Sequence, residues 1–318
     1  PGQSLDDASI DVTLDTGTFN AIVDLYSGRN LQVFTTGGEF TVPQSLGNPI
    51  TPSNIIVKQQ TSFGMKPGIR LQNVDGGTLY IQRQGRALQE FLFSDSVDAY
   101  ASAKISLLSS HLLKTPEEMA VRVSTSTDEG DRLLIVNNDD GSIACYTLLR
   151  SQQVIAPSEW TTEGEFINIG VDIDDIYTVV KRNVNSADVY YVEVFDDTVL
   201  LDCAKTGGAA SSTTVDHLEG ETIKIIRDGV VEADQTVPAS PFTVTFAQAA
   251  ASSFQVGLNF TPIIKTLPVE PNLSSGSLKG FKKRIFEVNA ELFETQSLTI
   301  NGKEVAFRRF GTGVLDDD

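Results

Sequence analysis

"LLIVNNDDGSIACYTLL" (residues 133–149) is an apolar run, a polar turn with one glycine, and a second apolar run. Asn, Asp and Gly tolerate the positive φ angles that tight hairpins require, so the stretch predicts two antiparallel strands. Related stretches occur at "LQVFTTGGEFTV" (31–42), "LYIQRQGRALQEFLF" (79–93) and "IYTVVKRNVNSADVYYVEVF" (176–195). Their turn centres, Gly38, Gly85, Gly141 and Ser186, are spaced at intervals of 47, 56 and 45 residues. Short strands repeating every 40–50 residues or so match the period of β-propeller blades. A β-sandwich with unremarkable hairpins is the competing architecture. In both cases the chain is all-β.

The long interval holds "SVDAYASAKISLLSSHLLKTPEEMA" (96–120), which predicts a short helical insertion near 99–114. Ile105, Leu108 and Leu112 share one helical face, and Pro116 ends it. After Cys203 the texture changes. "KTGGAASSTT" (205–214) reads as a small-residue linker, and Asp228-Gly229 as a turn between two strands. "FTVTFAQAAASSFQVGLNF" (242–260) reads as further strands, and "NLSSGSLKG" (272–280) as a loop. "KRIFEVNAELFETQSLTINGKEVAFRRF" (283–310) again predicts strands, with Asn301-Gly302 as a type I′ turn. The expected organisation is a propeller-like domain over 1–205 and a smaller β-barrel or sandwich, platform-like, over 206–318.

The 318 residues include 24 Lys and Arg against 42 Asp and Glu, a net charge of −18. That field argues against an outer surface built to grip nucleic acid or anionic lipid, although it permits DNA to pass without sticking. Cys145 and Cys203 form no CxxC pair and read as buried free thiols. No apolar stretch approaches the roughly 18–20 residues of a membrane span. The opening "PGQSLDDAS" has no initiator Met and no signal-peptide core, which suggests an internal or processed piece.

The chemistry-bearing residues are sparse. His111 falls within the expected helix and His217 opens "HLEGETIKII"; neither sits in a GxSxG, HExxH or P-loop sequence. "NNDDG" (137–141) lacks the alternate spacing and distal Glu of a calcium loop, and "VDIDDIY" (171–177) reads as a half-exposed strand and its turn. The basic groups "KRNVN" (181–185), "LKGFKKR" (278–284) and "FRRF" (307–310) lack the interleaved aromatics that stack bases. Arg284, Arg308 and Arg309 fit salt bridges between subunits better, with Arg308 and Arg309 on opposite strand faces. Trp160, the single Trp, suits a blade edge or an interface. No catalytic, cofactor-binding or metal-ligating residue is assigned, and no cofactor is expected. Paired-carboxylate hydrolysis of peptidoglycan or polysaccharide stays open as an alternative, as does a receptor-binding β module.

An ordered series of segments resembles the tail nozzle proteins of short-tailed bacteriophages (podoviruses), also called tail tubular protein B or tail hub proteins. It runs through "LQVFTTGGEFTV", "ITPSNIIVKQQTSFG" (50–64), "LYIQRQGRALQEF", "WTTEGEF" (160–166), "IYTVVKRNVNSADVYYVEVF", "HLEGETIKIIRDG", "VGLNFTPIIKTLPVE" (256–270) and "KRIFEVNAELFET". The resemblance implies a non-enzymatic virion protein in the tail, assembled in the host bacterial cytoplasm. It implies a homohexamer around the distal DNA exit channel, holding the genome until host contact and then allowing its ejection. Tail adaptor ring proteins, and fibres or a tail plug, are the implied partners. Double-stranded DNA would pass through the lumen without specific binding.

Overall fold

The computed structural model describes residues 8–13, 17, 20–43, 49–127, 129–266, 270, 276, 280–292, 295 and 297–305. The chain divides into two compact units, Pro1–Phe260 and Thr261–Asp318.

The first unit opens with four consecutive antiparallel sheets, each a meander in which neighbours in sequence are neighbours in space. The first sheet holds β1 (Ile22–Ser27), β2 (Leu31–Thr35), β3 (Glu39–Val42) and β4 (Lys58–Thr61). The second holds β5 (Gln72–Val74), β6 (Gly77–Ile81), β7 (Leu88–Ser94) and β8 (Ala99–Lys104). The third holds β9 (Pro116–Arg122), β10 (Asp131–Asn137), β11 (Ile143–Leu149) and β12 (Val154–Trp160). The fourth holds β13 (Glu165–Asp172), β14 (Asp175–Val184) and β15 (Ala187–Val194). The four hairpins read from the sequence are β2–β3, β6–β7, β10–β11 and β14–β15. Each forms the body of one sheet.

The hairpin at 133–149 shows why its two runs are continuously apolar. In β10, Leu133 and Ile135 face the second sheet's Leu79, Ile81 and Leu88. Leu134 and Val136 face the fourth sheet's Phe166, Ile169, Ile176 and Val180. In β11, Ala144 and Tyr146 join the first group, and Ile143 and Cys145 the second. A strand packed on both faces needs an apolar residue at every position. Its turn is pinned from several sides. Buried Asn137 donates to Leu112 O (2.9 Å) and Ser142 Oγ (3.1 Å), and Asp140 Oδ1 accepts from Ser142 N (3.1 Å). Gly141 has φ 62°, and a Cβ there would stand 2.6 Å from Glu165 Cα. Glycine is therefore required for conformation and for space.

A fifth sheet follows in the order β16 (Asp202–Gly207), β22 (Phe254–Leu258), β18 (Thr222–Arg227), β19 (Val230–Val231), with β20 (Gln235–Thr236) also on β18. It packs against the pair β17 (Ala210–Thr214) and β21 (Thr243–Ala250) around Val215, Leu218, Ile225, Phe246 and Val256. This is a sandwich; no described sheet closes into a barrel. Asp228 turns β18 into β19 at φ 49°, and its carboxylate accepts from the backbone N–H of Ala251, Ser252 and Ser253. In the second unit β23 (Thr299–Ile300) and β24 (Lys303–Glu304) pair across the expected Asn301-Gly302 turn, with φ 49° and 75°.

Three expectations are corrected. The helical insertion near 99–114 is strand β8 followed by two 3-10 turns, Ile105–Leu108 and Ser110–Leu112. Pairing of β8 with β7 overrides the helical periodicity, and Leu108 is 82% exposed instead of packed. The small-residue stretch 205–214 is strand in β16 and β17, so residue 205 lies inside a strand. Small residues suit it because the Phe254 ring lies 2.5 Å from where a Gly207 Cβ would stand. Residues 283–292 form no strand. Arg308 and Arg309 lie outside the described residues.

Candidate interaction surface

The two ends of the four-sheet stack are finished differently. On the first sheet, Val33, Phe40 and Val42 face away from the second sheet, covered by Ile50, Ile55 and Val57 from the loop before β4. At the far end, the fourth sheet buries one face only. Ile176, Thr178, Val180 and Arg182 of β14 point inward and are buried. The alternate residues Tyr177, Val179 and Lys181 point outward, opposite Val194, Val192 and Tyr190 of β15. Tyr190 is 63% exposed, Val192 76% and Val194 52%. This outer face is apolar along its middle, with Lys181 joined to Asp188 (3.3 Å) and Glu165 (3.7 Å) at one side. Those bonds raise the Lys181 pKa, the Asp188 hydrogen bond most of all.

Beneath this face lies a charged joint to the fifth sheet. Arg182, 2% exposed, donates from Nε and Nη2 to the two oxygens of Glu193 (2.6 and 2.7 Å) and from Nη2 to Asp202 Oδ1 (3.1 Å). Its Nη1 donates to Glu163 O (2.9 Å), and Thr162 Oγ1 donates to Asp202 Oδ2 (2.6 Å). Burial pulls the Arg182 pKa down, but the Glu193 hydrogen bond and the Asp202 charge outweigh it and leave it raised. A bidentate, fully hydrogen-bonded pair is the form in which a buried charge is tolerated. Trp160, at the end of edge strand β12, packs on Phe195 with ring centroids 5.0 Å apart, tying the third sheet to the fourth. It lies at a sheet edge, one of the two places its sequence context left open.

The singled-out chemical residues do not converge. His111 lies exposed in the second 3-10 turn, and His217 Nε2 bonds Cys203 O at 3.1 Å beside the Tyr191 ring. Cys145 is buried and Cys203 half-buried, and both are free. Burial pushes the Cys203 thiol up to about 12 and the Cys145 thiol up as well, the reverse of an activated thiolate. Among the described residues, no cluster of three or more His, Cys, Asp or Glu is placed to hold a metal ion. Glu117 and Glu165 line a concavity of about 40 Å³ with Asn137, Asn138 and Phe166. That is room for a water or so, and a sugar ring does not fit. Among the described residues, no helix is long and apolar enough to cross a membrane. The outer face of the fourth sheet was the feature sequence reasoning missed. Its signal was "DVYYVEV", whose alternation leaves Tyr190, Val192 and Val194 on one side.

The chain matches no protein-family model, and no curated protein matches it.

Proposed function

We propose that this chain is an architectural subunit of a closed homo-oligomer, of the kind formed by the tail nozzle of a short-tailed bacteriophage. The observation that carries the reading is the asymmetry of the stack. One end is covered by its own loop, and the other presents an apolar sheet face. Stacked repeats need a polar outer face on a terminal unit that meets water, and contiguous apolar patches mark interaction sites. Such a face can meet its own copy in an isologous pair or a different surface of a neighbour in a heterologous contact, and the heterologous contact closes into a ring when its rotation allows. The ordered resemblance to nozzle proteins supplies the biological setting: a hexamer in the virion tail, joined to the adaptor ring, with DNA passing through. The net charge of −18 suits such a lumen, because carboxylates repel the phosphates of the duplex. Native mass spectrometry with negative-stain images, over a range of concentration, tests the reading. Rings with a central hole are expected, and a strict monomer at every concentration overturns it. A basic or neutral lumen in such a ring overturns the charge argument alone.

A second reading draws on the exposed rings of Tyr177 and Tyr190 on the same outer face. Aromatic faces with polar edges suit a carbohydrate ligand, as in a receptor-binding module. Binding of host surface glycan that is lost in the Tyr177→Ala/Tyr190→Ala variant, with assembly unchanged, would favour it over the ring.

A further inference from the structure

The second unit contains a stretch with the pattern of a strand and no strand partner among the described residues. Lys282–Leu292 runs without regular secondary structure, and every residue in it is exposed. From Phe286 onward it alternates. Phe286, Val288, Ala290 and Leu292 would share one side of an extended chain, and Glu287, Asn289 and Glu291 the other. Phe286 is 90% exposed. An alternating segment of this kind is stable in water only when its apolar side is covered.

The first unit offers a matching vacancy at a sheet edge. β15 pairs only with β14 among the described residues and ends the fourth sheet. Exposed edge strands are commonly blunted by proline, and edge strand β12 carries Pro157. β15, "ADVYYVEV", has no proline, and Tyr190, Val192 and Val194 lie on the exposed outer face.

We propose that Arg284–Leu292 of one copy adds as an antiparallel strand to the free edge of β15 in a second copy. Charge selects the occupant. Residues 261–318 carry eight Lys and Arg and eight Asp and Glu, so the whole net charge of −18 belongs to residues 1–260. The β15 edge is bordered by Asp188, Asp196 and Asp197, and a second β15 brought against it would add only more carboxylates. The segment brings Lys282 and Arg284 instead. Antiparallel addition puts this basic end beside Asp196 and Asp197, whereas parallel addition puts it beside the single Asp188. With Arg284 opposite Asp196, Phe286 falls opposite Val194, Val288 opposite Val192 and Ala290 opposite Tyr190. All of these lie on the outer face, because directly paired residues share a face. Glu287 then stands opposite Glu193, whose two oxygens are already held by Arg182. The added strand extends the outer face and supplies main-chain hydrogen bonds to the open edge, the mode of β-augmentation.

The inference rests on the reading that copies of this chain assemble, and cysteine pairing separates the two. Full-length chains carrying Val192→Cys and Val288→Cys on different copies are co-expressed, isolated as the assembled species and oxidised. Both positions are exposed, so folding is retained. A covalent dimer is expected in the mixture and absent from either variant alone. Glu287→Cys in place of Val288→Cys should fail, because a one-residue offset puts the thiol on the opposite face. Assembled chains with no 192–288 bond, or equal bonding through position 287, overturn the strand addition and leave the assembly reading standing. A bond that forms only within a doubly substituted chain also overturns it. A chain monomeric at every concentration overturns both.

Discussion

The third and fourth sheets are consecutive meanders of similar strands, yet their sequences obey different rules. "LLIV" and "IACY" are apolar at every position because the third sheet is sandwiched between neighbours. "IYTVVKRNV" and "DVYYVEV" must serve a buried face and an open one in alternation. A sheet becomes an interior wall when another sheet is laid on its second face, and an end wall when none is. The end wall is where the molecule is free to interact.

The comparison is easiest to break at the joint beneath the end wall. Arg182→Ala leaves Glu193 and Asp202 without their partner, and should cost about 3–5 kcal/mol in urea denaturation. A loss near zero would mean that the fourth sheet is held by its apolar contacts alone. Next come the two faces of the interior wall. Leu134→Ala and Ile135→Ala should each cost roughly 2–5 kcal/mol, since each leaves a cavity in a different core. Unequal losses would show that one of the two packings is the looser. Gly141→Ala forces a left-handed residue against Glu165, and about 1–3 kcal/mol is expected by the same measurement. The end wall should answer differently. Val192→Ser should change stability by less than about 0.5 kcal/mol, while lowering the fraction of assembled protein in sedimentation. A large stability loss in dilute protein would mean that this face is covered within one chain.

The narrowest effect is a pH window. The Cys203 thiol, raised by burial from 9.0 to about 12, favours its neutral form in the fold. Its contribution is complete below about 9 and is lost as pH rises through about 12, because the unfolded chain ionises first. Cys203→Ala should make the decline of stability between about pH 9 and 10 shallower. An unchanged slope would assign that decline to other groups.

Much of the fold was legible because hairpin turns write themselves into sequence. Asn185 and Ser186 at φ 49° and 64°, like Asn301-Gly302 and Asp228-Gly229, are residues that accept the left-handed region. The misread segments share a cause. "AYASAK" and "KTGGAASSTT" lack β-branched bulk over much of their length, and they become strands because neighbours pair with them and, at Gly207, a large ring lies above. Local propensity does not record a Phe254 so far along the chain. The candidate surface was half legible. "DVYYVEV" announced a strand with an apolar side, but its exposure depends on no further sheet being stacked there. The joint at Arg182 was hidden inside "KRNVN", where adjacent basic residues looked alike. Alternation sends Lys181 outward to Asp188 and Arg182 inward to Glu193.

The lone tryptophan has an optical consequence. Trp160 is the chain's only indole, and it rests on Phe195 where the third sheet meets the fourth. Its emission therefore watches a single seam. If the end wall peels away before the rest unfolds, the fluorescence will shift to the red while the far-ultraviolet circular dichroism of the remaining sheets persists. Coincidence of the two signals would make the wall and the stack one cooperative unit.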